Sequence, residues 1–129
     1  MEVILLKWLK INVNPFNRTT DDSVVKALCI ALDISWNEAY MSLAKHGIGS
    51  NLSMNDKRCW KGFLKYLGYT ETKLDNKVNV KYFAENYALN NKVYILQIGS
   101  NGATVIKNKT IYDSFNPCNK TVNAFWIIK

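Results

Sequence analysis

Histidine is nearly absent from this chain of 129 residues: His46 is the only one, so any reaction that needs an imidazole base depends on a single position. Arginine is scarce too, with Arg18 and Arg58 alone among 17 basic residues. Lysine gives a point charge and not the planar fork that reads guanine edges, which disfavours sequence-specific DNA readout. The three cysteines, Cys29, Cys59 and Cys118, are odd in number and show no Cys-x-x-Cys spacing, so neither a disulfide framework nor a zinc site is implied. They read as reduced thiols of a cytoplasmic protein. Glycine-rich phosphate loops and metal-ligand clusters are missing, and no cofactor or metal is expected. No run approaches the roughly 20 apolar residues of a membrane span. The opening MEVILLKWLKINV carries Glu2, Lys7 and Lys10 and lacks a small-residue cleavage site, so it is expected to be a first strand or short helix and not a leader. The Asn-x-Ser/Thr triplets at Asn17, Asn51, Asn108 and Asn119 then have no glycan significance.

What is present is a 48% hydrophobic chain with a formal charge of +7, long enough for one domain over residues 1–129 and too short for two. The positive excess suits nucleic acid or an acidic protein surface, and equally the solubility of a small lysine-rich protein.

The periodicity divides the chain into a helical half and a strand half. A first helix is expected from Asp22 to Leu32, with Val25, Leu28, Cys29 and Leu32 on its buried face. A second opens at the capping box Ser35-Trp36-Asn37-Glu38, turns Trp36, Ala39, Tyr40 and Leu43 inward, and stops at Gly47. A third opens at Ser53-Met54-Asn55-Asp56 and ends at Gly68, with Trp60, Phe63, Leu64 and Leu67 inward. On its adjacent face Lys57, Lys61 and Lys65 fall one turn apart with Arg58 beside them. This is the best basic patch in the chain, a candidate binding surface or a solvated helix face. Tyr69 to Lys73 reads as an edge strand, and Asn79 caps a short helix ending near Asn86. Strand patterns follow at Lys92–Ile98, Ala103–Lys107, Thr110–Asp113 and Thr121–Ile128, with short turns that make neighbours antiparallel. The expected class is α+β, with the helices packed on one face of a C-terminal antiparallel sheet.

Ser23 stands where the first helix opens. A thiol there would be ionised by the helix end, but an alcohol is not ionised by that field alone. Asp21 and Asp22 just before it place negative charge at a helix start. The order of motifs is Asn14-Pro15, the tripeptide Asp21-Asp22-Ser23, Val24-Val25-Lys26-Ala27-Leu28, Trp36-Asn37-Glu38-Ala39-Tyr40, Tyr94-Ile95-Leu96, Tyr112-Asp113-Ser114 and a closing aromatic-rich strand. From Asn14 to Trp126 this resembles the small papain-like cysteine peptidase-type proteins of bacteriophages and mobile elements. In them the helix opens with Gly-Asp-Cys, a histidine begins the strand after Tyr-Ile-Leu, and an aspartate after the next strand orients it.

The resemblance implies a papain-like fold in which the nucleophile position is Ser23, the histidine position is Gly102 and the orienting acid is Asp113. Asn17, six residues before Ser23, matches an oxyanion-hole amide, with Asn14 the other candidate. Serine needs a base more than cysteine does, so the loss of the imidazole implies a pseudo-peptidase. A Ser23 engineered from cysteine would explain one change and not Gly102. A rescue triad of Ser23, His46 and Asp113 needs His46 folded back onto the mouth of the first helix. The function implied is binding of a host protein or nucleoprotein complex in the host cytoplasm, as an inhibitor of a CRISPR nuclease or another defence system. The alternatives are a hydrolase using Ser23 and a basic nucleic-acid-binding module.

Overall fold

The computed structural model describes residues 7–14, 22–54, 56–99 and 102–128. They form an α+β structure of four helices and one six-stranded mixed sheet. In chain order the elements are β1 (Lys7–Lys10), α1 (Ser23–Leu32), α2 (Trp36–Ser50), α3 (Lys57–Tyr66), β2 (Thr72–Asn79), α4 (Val80–Asn86), β3 (Val93–Ile98), β4 (Gly102–Lys107), β5 (Thr110–Asp113) and β6 (Thr121–Ile127).

The strands lie in the order β1-β5-β4-β3-β6-β2. β3, β4 and β5 form the expected antiparallel meander, with Ile95 opposite Val105 and Val105 opposite Tyr112. The expectation fails at β6, which does not follow β5 but pairs with β3. The reason is that β1 runs parallel along the free side of β5, so the open position is the other side of β3. β2 completes that edge, later in the chain than the Tyr69–Lys73 pattern suggested, with its pairing interrupted between Lys73 and Val78.

Side chains alternate across a strand, and here both faces are covered. Ile95, Val105, Ala124 and Trp126 share one core with Leu28, Leu43, Trp60 and Leu64 of α1, α2 and α3. Tyr94, Leu96, Ile106, Ile111 and Val122 share the other with Val80, Phe83 and Ala84 of α4. The helices are therefore not all on one face, because the odd and even residues of β3 are both apolar and each set needs a cover.

α1 is the central helix. It packs on β4, β3 and β5 and on α2, so Val24, Val25, Lys26, Ala27, Leu28, Cys29 and Ala31 are all buried, far beyond a single stripe. Ser35 caps α2 by accepting from the Glu38 backbone N–H at 3.1 Å. α2 passes the expected stop at Gly47 and ends at Asn51, which takes the left-handed conformation at φ 57°. Gly47 serves close approach: a Cβ there would lie 2.8 Å from the Leu52 carbonyl oxygen. Tyr40, expected inward, stacks on Trp36 at the surface with ring centroids 5.0 Å apart. α3 is capped by Asp56 and not by Ser53, the carboxylate accepting from the Arg58 N–H at 2.8 Å. Asn79 caps α4 as expected, accepting from the Tyr82 N–H at 2.8 Å.

Candidate functional site

The N-terminus of α1 carries a buried polar cluster centred on Asp22. Its Oδ2 accepts from the Asn14 side-chain amide at 3.0 Å and from the Trp36 indole N–H at 2.9 Å. Its Oδ1 lies 3.0 Å from Lys26 Nζ, one turn along α1, in an ion pair whose two side chains are 9% and 8% exposed. That contact is ionic in range but not aligned as a hydrogen bond. Asp22 holds the N-cap position without capping through its side chain, because the carboxylate is turned to Lys26, Asn14 and Trp36. Burying two ions is tolerated where they are paired and hydrogen-bonded, and here the two charges are paired through Oδ1 while Oδ2 takes both hydrogen bonds.

Ser23, half-buried, is the first residue of α1. Ser23 and Lys26 stand three apart on a helix, a spacing at which a lysine can act as base to a serine. Lys26 is instead an ammonium held on Asp22, and an ammonium has no lone pair with which to accept the serine proton.

Gly102 opens β4. A Cβ there would sit 3.0 Å from the Ile98 carbonyl oxygen and 3.2 Å from its Cγ1, so an imidazole at this position has no room unless Ile98 moves. Ala103, the next residue, faces the core beneath α1. Neither face of the start of β4 presents a base.

Asp113 ends β5, in the alternating row that holds Ile111. Burial pushes its carboxyl above the ordinary range. This is partly opposed by the Thr104 hydroxyl, by the Phe115 and Ser114 backbone N–H groups and by the charge of Lys26. Its Oδ1 accepts from the Phe115 N–H at 3.3 Å. The Thr104 hydroxyl is close enough to favour the ionised form yet makes no hydrogen bond of good geometry among the described residues.

A carboxyl whose folded pKa is raised binds its proton more tightly folded than unfolded, so its contribution to stability falls as pH climbs from about 4 through the folded pKa. Asp113→Asn keeps an acceptor for Phe115 and removes the buried charge. We expect a higher melting temperature than the parent at pH 7 and a gain that shrinks below pH 4. Equal or lower melting at pH 7 would contradict this.

His46, on α2, packs against α3, its ring centroid 5.7 Å from that of Phe63 and 6.1 Å from that of Tyr66. No described contact joins it to Ser23 or Asp113. Asn17 and Asp21 lie outside the described residues. The Cys29, Cys59 and Cys118 thiols are all pushed up by burial, which disfavours the thiolate and so the nucleophile.

The basic face of α3 is only partly free. Arg58 turns back to Asp56, with Nη2 2.8 Å from Oδ2, and this hydrogen-bonded pair holds the Asp56 carboxyl well below its usual range. Lys61 pairs with Glu71 at 3.1 Å, while Lys57 and Lys65 are exposed.

Sequence reasoning passed over Lys26 and the Trp36 indole as partners of Asp22. The signal was present: Asp22 and Lys26 stand at i, i+4, and Lys26 is the one charge in an otherwise apolar helix. Among the described residues no group of three metal-ligating side chains occurs, and no helix is long and apolar enough to cross a membrane. Neither a protein-family model, a curated protein nor a solved structure matches the chain.

Proposed function

We propose that this chain has a papain-like architecture stripped of peptidase chemistry and that it acts by binding. One observation carries the reading: among the described residues Ser23 has no base, since Lys26 is committed to Asp22 and the Gly102 backbone is packed on Ile98. The resemblance to phage and mobile-element proteins supports a host protein or nucleoprotein complex as the partner. Inhibition of a CRISPR nuclease or another defence system is the activity that fits such a partner. The exposed Lys57 and Lys65 of α3, with Lys61 and Arg58 beside them, are the contact surface.

The test is capture of partners by the tagged protein from nuclease-treated bacterial lysate, compared with a Lys57→Glu/Lys65→Glu variant. One protein retained stoichiometrically by the parent, and at least tenfold less by the variant, is the expected result; a tenfold loss corresponds to about 1.4 kcal/mol. Capture that ignores the reversal removes α3 from the reading. Fold-dependent labelling of Ser23 by a fluorophosphonate would restore a hydrolase. Nucleic acid held in a steeply salt-dependent way, with no protein partner, would make the basic surface itself the function.

A further inference from the structure

α2 buries Ala39, Leu43 and Gly47 on one side and leaves Glu38, Met41, Lys45 and Ile48 exposed on the other. The four exposed residues are spaced by three, four and three, so they form one stripe along the helix. Met41 is 57% exposed and Ile48 83%, the latter the most open large apolar side chain among the described residues. Beside Ile48 the end of α2 and the chain that follows it frame an open cavity of about 540 Å³, lined by Ala44, Gly47, Leu52 and Met54. Single exposed apolar residues are ordinary on a surface, but these two alternate with charges of opposite sign. Neither Glu38 nor Lys45 has an ionic partner among the described residues.

We propose that this stripe seats a second copy of the chain, with α2 packed antiparallel on α2 about a two-fold axis. The stripe is complementary to its own reversal. At about 1.5 Å per residue, setting Met41 of one copy opposite Ala44 of the other leaves Glu38 about 3 Å along the axis from Lys45 of the second copy. Two-fold symmetry repeats that pair, so an isologous contact makes two attractive pairs at once. The small Ala44 lets the helices approach, and the flexible Met41 reaches the mouth of the second copy's cavity beside Ile48. A partner of one charge sign would attract either Glu38 or Lys45 and repel the other. A partner with both signs in reversed order attracts both, and this chain itself carries them. A contact of one helix pair is small, which places it among weak and reversible interfaces. The pairing uses α2 alone and does not rest on the partner-binding reading, whose contact surface is on α3.

The test is sedimentation velocity of the full chain over a concentration series from micromolar to millimolar. The expected result is a reversible equilibrium between monomer and dimer. Glu38→Lys and Lys45→Glu are each expected to weaken the dimer about tenfold, because each turns two attractive pairs into two repulsive ones. Each copy carries a net charge of +7, so on overall repulsion alone Lys45→Glu would strengthen association. An equimolar mixture of the two variants is expected to recover the parent affinity, since the two lysines of one copy then face the two glutamates of the other. Ile48→Ser is expected to weaken the dimer severalfold through lost apolar contact. All three positions are exposed, and thermal melting of each variant checks the fold. A chain that stays monomeric at millimolar concentration overturns the proposal. So does a dimer indifferent to both reversals, one strengthened by Lys45→Glu, or a mixture of well-folded variants that fails to pair. No host factor enters the experiment, so its failure leaves partner capture untouched, and failed capture leaves the dimer standing.

Discussion

Asp22→Ala is expected to destabilise the protein by about 3–5 kcal/mol in urea unfolding, because it strands a buried ammonium. It also takes an acceptor away from the Asn14 amide and from the Trp36 indole, so a single substitution disturbs three groups. Lys26→Met is the informative partner experiment. There the carboxylate keeps its two hydrogen bonds, and the methionine fills the space of the lysine stem, so the loss should be smaller, about 1–3 kcal/mol. The order of the two effects is the test. If both variants lose less than about 1 kcal/mol, the cluster is not what fixes the α1 terminus, and its charges are solvated in ways this arrangement does not describe.

That cluster also shows why some of the site was legible in the sequence and some was not. Ser23 at a helix start, Asn79 as a cap, and the β3–β4–β5 meander all follow from local signals: a cap residue, a change of hydrophobic period, turns of two to four residues. The buried role of Lys26 does not. It depends on α1 being covered on all sides, which is decided by where α2 and the sheet fall, and no local pattern reports that. Gly47 misled for a related reason. A glycine near a helix end reads as a stop, yet here it clears space for the Leu52 carbonyl, a contact made by the returning chain.

The sheet order has the same character. Four β-rich segments in succession predict a meander, and three of them comply. The fourth is displaced because β1, from the other end of the chain, occupies the edge beside β5. Once β6 is carried across to β3, its Trp126 comes under α3 and packs on Trp60. The long-range pairing therefore decides where α3, the helix of the proposed contact surface, is seated.

Trp60→Ala is expected to lose about 3–5 kcal/mol, the range for emptying a buried aromatic site. Trp60 is 1% exposed on α3, and its ring centroid lies 5.2 Å from that of Trp126, so the pair fastens the basic helix to β6. Trp60→Phe separates packing from polarity. The Trp60 indole N–H is buried and meets no acceptor among the described residues, an arrangement that costs about 1–3 kcal/mol where no water supplies one. Phenylalanine removes that N–H and leaves a smaller void, two effects of opposite sign, so the net change should stay within about 1 kcal/mol. Tyr66→Ala, one and a half turns further along the same helix and 78% exposed, should change stability by less than about 0.5 kcal/mol. If Trp60→Phe proves as harmful as Trp60→Ala, the N–H is bonded after all, and an ordered water under α3 becomes the first thing to look for. If it is neutral, shape alone holds the helix that carries Lys57, Lys61 and Lys65 in place.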